Sequence, residues 1–260
     1  MSRILILALP LLIAADWPRF LGADGSGVST DKVPAEWSST KNLKWKADLP
    51  GPGSSSPVVV KGRVLLTCFT LSGTSLAARH LICLDRKTGK ELWRKSVPAV
   101  KGEDPYRGFI AEHGYASNTP ASDGESVFAF FGKAGVVAYS LDGKELWKKP
   151  VGTMSSSRRW GSAASVMLHK DAVIVNAAEE GRAVFAFDKK TGKELWKTQA
   201  DGLELCYGTP AVMKRDGRDE LLLAVPGELW AMNPATGKLR WFATSEAEGN
   251  VAASVAVSGE

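Results

Sequence analysis

The segment 112–118 of this chain brings together three side chains that could bind a ligand. His113 offers an imidazole that titrates near neutral pH, Tyr115 a phenol and Asn118 an amide. A lone histidine in a loop is more often structural than catalytic, and no catalytic or metal-binding motif surrounds it. We therefore predict that these three residues contact a ligand or a partner, and we assign no catalytic residue and no metal ligand.

A second segment, 155–162, places two arginines beside a tryptophan. Guanidinium groups such as those of Arg158 and Arg159 suit carboxylates or phosphates, and the indole of Trp160 can stack on a ligand. Most arginines in loops are only solvated, so this prediction competes with a plain surface role. Tyr207, in a third loop, completes the predicted binding face.

A repeated phrase of eleven residues reveals the architecture that must position these loops. It occupies 83–93, 186–196 and 231–241, and a copy one residue shorter occupies 138–147. Each copy ends in tryptophan, and with Trp45 as an earlier member the tryptophans recur every 45 to 54 residues. A period of about 40 to 50 residues is typical of propeller blades, although some helical repeats share it.

The pattern between the tryptophans favours strands over helices. Each unit opens on a short β-branched run, such as 57–60, followed by a turn and a second apolar run, such as 64–69. Short apolar runs separated by glycine and aspartate turns are typical of hairpins. No segment has a 3.6-residue period over three turns. The sequence therefore predicts an all-β fold of four-stranded antiparallel blades.

The repeated phrase itself has a structural explanation. Its aspartate can accept hydrogen bonds from backbone amides two residues on, and its glycine supplies the positive φ of a tight hairpin. Its tryptophan can pack on the neighbouring blade and donate its N–H to a backbone acceptor. We therefore predict packing, not substrate contact, for Trp45, Asp85, Gly89, Trp93, Trp147, Asp188, Gly192, Trp196, Gly237 and Trp241.

The phrase closely resembles the tryptophan-docking repeat of the pyrroloquinoline-quinone (PQQ) propeller superfamily, Ala-x-Asp-x-x-Thr-Gly-x-x-x-Trp. The copy at 186–196 matches every fixed position, whereas Cys83 and Asn233 are single departures in two others. The opening Trp17-Pro18-Arg19-Phe20-Leu21-Gly22 also resembles the preface of a bacterial secreted branch of this superfamily. The resemblance is specific for fold and weak for function.

The superfamily usually closes a ring of eight blades, and this chain supplies about four. The predicted blades cover 51–97, 114–151, 161–200 and 207–244, with a truncated fifth at 249–260 and a preface with a ring-closing strand at 16–50. We therefore expect part of a larger ring, either a fragment or a truncated gene product. A ring of four blades is the less favoured alternative, because the extra strand would have no place.

The first fifteen residues are typical of a secretory signal. Arg3 precedes an apolar run at 4–13, and Ala14-Ala15 offers a cleavage point before Asp16. The run is far shorter than the roughly 20 residues of a membrane-spanning helix, and no cysteine follows the cleavage point to carry a lipid. We therefore predict a periplasmic or secreted protein. The net charge of +5 shows no basic stripe suited to nucleic acid.

The three cysteines bear on the possible cofactor. Cys68 and Cys83 fall on consecutive predicted strands, so a disulfide and free buried thiols both fit the sequence, as does a free Cys206. The resemblance implies that a quinone alcohol dehydrogenase would have two adjacent cysteines beside the cofactor, and this chain has no such pair.

For the dehydrogenases, the resemblance also implies a calcium ion held by Glu and Asn oxygens. Candidates are Glu112, Asn118, Asn176 and Glu179.

Three functional hypotheses follow from these observations. The first is a secreted or periplasmic PQQ-like propeller that acts as a non-catalytic binding or protein-interaction scaffold. The second is a fragment of a dehydrogenase that depends on PQQ and calcium and oxidises an alcohol or sugar. The third is a scaffold for envelope assembly that binds partner proteins through the loops. The identity of the ligand or partner does not follow from the sequence.

Overall fold

The computed structural model describes residues 16–257, so the predicted signal segment 1–15 and the last three residues of the predicted fifth blade lie outside the described residues. The described chain forms four separate antiparallel sheets of four strands each, every sheet in simple sequential order. The predicted all-β fold of four-stranded blades is therefore confirmed.

The four sheets follow one another along the chain as blades A to D. Blades A and B comprise β1 (Val58–Val60), β2 (Arg63–Ser72), β3 (Ser75–Asp85), β4 (Glu91–Pro98), β5 (Ala121–Ser122), β6 (Ser126–Phe130), β7 (Val136–Ser140) and β8 (Glu145–Lys149). Blades C and D comprise β9 (Met167–His169), β10 (Ala172–Ala177), β11 (Ala183–Asp188), β12 (Glu194–Gln199), β13 (Ala211–Arg215), β14 (Arg218–Val225), β15 (Glu228–Met232) and β16 (Leu239–Thr244). Two short helices, α1 (Phe109–His113) and α2 (Ala178–Gly181), lie in the connections.

The core consists of apolar layers between adjacent blades. Phe128 and Phe130 of blade B pack with Val173 and Phe185 of blade C, and comparable layers join A to B and C to D. Alternating side chains of each strand point to opposite faces of the sheet, so a blade can bury both faces against its two neighbours. This is why the inner strands read as nearly continuous apolar runs.

The repeated phrase forms the contact that joins one blade to the next. In every blade the pairing of the third and fourth strands shifts by one residue at the same position of the phrase, which in blade A lies between Cys83 and Leu84. Such a β-bulge changes the direction of the side chain that follows. The indole N–H then donates to a carbonyl of the next phrase over 2.8–3.0 Å, as Trp45 to Arg86, Trp93 to Leu141, Trp147 to Lys189 and Trp196 to Pro234.

The phrase glycine is required where the indole arrives. A Cβ at Gly192 would lie 2.6 Å from Trp147, and φ there is +67°, a region that disfavours any residue with a side chain. The preceding Asp188 accepts hydrogen bonds from the backbone N–H groups of Lys190 and Thr191, which fixes the turn. The hydrogen bond from the Thr191 hydroxyl, and next those from these two N–H groups, hold the pKa of Asp188 below its usual value.

The two ends of the described chain make isolated bridges. Residues 43–48 form no strand with any described residue, although Trp45 packs on the phrase of blade A. Trp17 makes a single bridge to Val59, and Val251 makes a single parallel bridge to Cys206. A strand needs a run of partners, and the described residues supply only one partner at each of these places.

All three cysteines fall within the described chain and are buried free thiols. Cys68 lies opposite His80 and Cys83 opposite Leu65, so the two are not cross-strand neighbours. Burial raises the pKa of Cys83 to about 11 and that of Cys206 to about 12, which keeps both thiols protonated and weakly reactive at neutral pH. Of the two sequence-based alternatives, the structure has the free thiols.

Candidate functional site

The two ends of the blades present different surfaces. At one end, which we call the turn face, the first hairpin and the phrase turn of blades A, B and C meet through backbone bonds, such as Arg86 N–H to the Gly62 carbonyl at 2.9 Å. At the other end, which we call the loop face, lie the long connections 99–120, 150–166 and 200–210. All seven predicted binding residues belong to loop-face segments.

Three of these residues hold the loops together. His113 uses both ring nitrogens, Nδ1 with the Ser117 hydroxyl and Nε2 with the Trp160 carbonyl, each at 2.7 Å. Tyr115 is buried and donates its hydroxyl to the Asp104 carbonyl. Asn118 is buried and donates its amide to the Ala164 carbonyl at 2.7 Å. Their polar groups are therefore engaged within the protein.

The remaining four residues lie along a row of aromatic rings on the loop face. Trp160 packs against Phe109 with 4.4 Å between ring centroids and stacks on Tyr207 with 5.7 Å, so the row joins three inter-blade connections. Tyr207 is itself buried, whereas Trp160 is half-buried and Phe109 is 50% exposed. Arg158 and Arg159 stand exposed beside the row. We call Phe109, Trp160 and Tyr207 the aromatic row.

Beneath the aromatic row lie two buried ion pairs that sequence reasoning missed. Arg79 binds Glu103 through two N–H groups, at 2.6 and 2.8 Å, and its side chain is 5% exposed. Lys133 binds Asp104 at 2.7 Å and donates to the Gly102 carbonyl at 2.6 Å. No spacing or motif marks these residues, because Arg79 comes from a strand and Lys133 from a short connection. They fix the geometry of the longest loop.

Glu180 lies beside these pairs and takes part in neither of them. It is 1% exposed, and its Oε2 atom has no hydrogen-bond partner among the described residues. Burial, and next the charge of Glu179, raise the pKa of Glu180 to about 8, against the opposing effect of Arg79 and Lys133. At neutral pH this side chain is therefore mostly protonated, because an isolated buried carboxylate is costly.

Replacing Glu180 with glutamine is expected to stabilise the protein at high pH. The folded state keeps a proton up to about pH 8 that the unfolded chain releases near its ordinary pKa, so wild-type stability falls as the pH rises between these values. The slope is at most about 1.4 kcal/mol per pH unit. Urea unfolding at pH 5, 6, 7 and 8 should show a shallower fall for Glu180→Gln than for the wild type. Glu112→Gln, at an exposed position, is the control, and equal slopes for both variants would refute the assignment.

Glu180 also lines a small cavity under the loop face. Its volume is about 20 Å³, enough for an ordered water, which needs roughly 10–15 Å³. Sites for small-molecule ligands usually measure about 300–1,000 Å³. The cavity lining includes Arg79, Ile110, Asn118, Lys133, Ser162 and Glu180.

The residues do not fit a calcium and quinone centre. The Asn176 amide donates to the Cys206 and Gly208 carbonyls and accepts from the Ala178 N–H. Glu112 is exposed, and no group of three His, Cys, Asp or Glu side chains in the described residues is placed to hold a metal ion. The cavity is also too small for a three-ring quinone.

The sequence matches a known family over most of its length. Residues 28–159 and 77–259 match the model of the family described as outer membrane protein assembly factor BamB. A curated protein of that description from Burkholderia pseudomallei (strain K96243) is 28% identical over 159 residues, which cover 61% of this chain and 35% of the relative.

Two solved structures show a similar fold. A europium-containing methanol dehydrogenase aligns with a TM-score of 0.56 and 14% identity, over 77% of this chain and 45% of the other. The quinohemoprotein alcohol dehydrogenase from Comamonas testosteroni aligns with a TM-score of 0.51 and 16% identity, over 79% and 39%. At such identities the likeness shows the fold alone. The chain spans between about a third and just under half of the length of these relatives.

Proposed function

This chain belongs to the family of outer membrane protein assembly factor BamB, within the PQQ-like β-propeller superfamily, and from that premise we propose that it is a non-catalytic scaffold of the bacterial envelope. It binds a partner protein through its loop face. The predicted signal segment and the name of its relative support a periplasmic location at the outer membrane. In residues 16–257 no helix is long and apolar enough to cross a membrane.

The aromatic row is the observation that carries this proposal. Phe109 is 50% exposed and its ring packs on the half-buried ring of Trp160 with 4.4 Å between centroids, and exposed apolar groups that adjoin one another are typical of interaction sites. Contacts within the protein hold the row in place. Trp160 stacks on buried Tyr207, and the Trp160 carbonyl accepts a hydrogen bond from His113. Binding then orders few side chains, which lowers its entropic cost.

The arginines beside the row indicate the chemistry of the partner. Arg158 and Arg159 are exposed and flank the half-buried ring of Trp160. Aromatic residues and arginine are the types that most often dominate binding energy at protein interfaces. A partner segment with an apolar side chain for the row and a carboxylate for the guanidinium groups fits this surface.

Replacing Phe109 with alanine is expected to weaken partner binding about 10- to 100-fold, the range of an interface hot spot. The stability of the Phe109→Ala variant should change little, because the ring is half exposed. Substitutions at exposed positions usually cost under about 0.5 kcal/mol. Affinity for the purified partner and the thermal midpoint together check this. Phe242→Ala is the matched control, since Phe242 is 55% exposed but lies on β16, away from the loop face.

A photo-crosslinking experiment identifies the partner. A photoreactive phenylalanine analogue is placed at Phe109 or, as a control on the turn face, at Lys87 of the full-length protein in cells. We expect a protein of the outer-membrane assembly apparatus to be crosslinked from Phe109 and not from Lys87. Crosslinks from Lys87 alone, or none to protein from either position, would contradict the scaffold proposal.

A further inference from the structure

We propose that the turn face docks on an anionic membrane surface, an inference that rests on the proposed envelope location. The starting observation is a set of exposed lysines in the repeated phrases that form no ion pair among residues 16–257. We call them the phrase lysines: Lys87, Lys90, Lys144, Lys190, Lys193 and Lys238.

The fold brings the phrase lysines to one side of the molecule. Within blades A, B and C the phrase turn is bonded to the first hairpin, as Leu141 N–H to the Glu125 carbonyl at 3.0 Å and Lys189 N–H to the Asp171 carbonyl at 2.9 Å. Between blades the docked indoles join consecutive phrase turns. Lysines that are 45 to 54 residues apart in sequence therefore share the turn face.

Some acidic side chains on the same face are paired with other cations. Asp123 pairs with Lys189, Asp142 with Arg63 and Asp219 with Lys170, at 2.8–3.3 Å. Asp85 and Asp188 accept hydrogen bonds from the amides of their own turns and stay charged. Counted over 85–91, 142–145, 188–194 and 233–238, the phrases hold eight lysines and arginines against six acidic residues, so the turn face keeps an excess of positive charge.

The loop face carries no comparable set of lysines. Its two buried cations are already paired with Glu103 and Asp104, and Arg182 pairs with Glu204 at 2.8 Å. The exposed cations on its long connections are Lys101, Arg107, Arg158 and Arg159. The lysine-rich turn face is therefore the side that would meet a negative surface, and the loop face stays available for a protein partner.

A lipid surface fits the phrase lysines better than nucleic acid does. The charges are compact ammonium groups spread over all four blades, and lysine acts as a point charge, whereas paired recognition of single phosphates favours arginine. Reading a duplex needs a helix or ribbon that enters a groove, and the turn face presents only short hairpin turns. Exposed lysines within a Debye length of an anionic membrane each add to its attraction.

Vesicle binding tests the proposal. Sedimentation with vesicles of 30% phosphatidylglycerol in phosphatidylcholine is compared with vesicles of phosphatidylcholine alone. The variant Lys87→Gln/Lys190→Gln/Lys193→Gln is expected to bind the anionic vesicles about a hundredfold more weakly, since each lysine near such a surface contributes roughly fivefold. The control Lys101→Gln/Arg107→Gln/Lys148→Gln loses the same charge from exposed positions outside the turn face and the aromatic row and should bind within threefold of the wild type.

Three outcomes would overturn the proposal. They are no binding of the wild type to anionic vesicles in low salt, equal loss in both triple variants, and tighter binding to duplex DNA than to vesicles. Abolition of vesicle binding by 0.5 M NaCl is expected. Crosslinking from Phe109 is read out separately, so failure of membrane docking can be told apart from failure of the loop-face scaffold role.

Discussion

Replacing Trp147 with alanine is expected to lower the free energy of unfolding by about 3–5 kcal/mol. The indole is 7% exposed and lies between Phe128 and Phe187, with centroid distances of 5.9 and 6.2 Å. Its N–H donates to the Lys189 carbonyl at 2.8 Å. The substitution therefore leaves a cavity between blades B and C and removes a hydrogen bond that joins them.

Chemical denaturation monitored by circular dichroism measures this loss. Trp37 is 80% exposed, so Trp37→Ala is the matched control and should change stability by less than about 0.5 kcal/mol. A loss below about 1 kcal/mol for Trp147→Ala would mean that the phrase tryptophan does not join the blades energetically.

Replacing Lys133 with methionine is expected to destabilise the protein by about 3–5 kcal/mol, because it leaves the Asp104 carboxylate buried without its cation. The two side chains are 5% and 6% exposed. Lys133 also holds the Gly102 carbonyl and the Ser155 hydroxyl, which belong to different loops. Its loss should therefore loosen the connection that carries Phe109 and the aromatic row.

A second variant separates the buried charge from the lost packing. Lys133→Met combined with Asp104→Asn removes both charges and should recover much of the stability, since replacing a whole buried pair is often nearly neutral. Lys41→Met breaks the pair with Glu36, whose side chains are 62% and 73% exposed, and should cost less than about 1 kcal/mol. If the double variant were no more stable than Lys133→Met, the unpaired charge would not be the cause.

The repeated phrase made the blades predictable. Aspartate and glycine at fixed offsets determine a hairpin locally, and Asp188 with Gly192 forms the turn that this chemistry dictates. For contacts between blades, the sequence predicted the kind of contact but not the atoms that make it. The sequence indicated that Trp147 packs on the next blade, but not that its acceptor is the Lys189 carbonyl.

The interior of the loop face was not predictable, for a physical reason. Arg79, Lys133 and Glu180 lie in different parts of the chain, and their ion pairs depend on loop paths that no local pattern encodes. His113 was singled out by its chemistry, yet the fold uses both of its nitrogens to tie loops together. Residue type alone therefore cannot separate a ligand-binding histidine from one that supports a loop.

The contact between each tryptophan and the following glycine has an evolutionary consequence. A blade receives an indole on its glycine turn and delivers one to its successor, so every junction uses the same two parts, as Trp93 on Gly143 and Trp196 on Gly237. Duplication of one such gene segment would create a unit that already matches both neighbours. The number of repeats in this architecture can therefore change without a new kind of interface. Solenoid proteins share this property, because each of their repeats contacts only its neighbours.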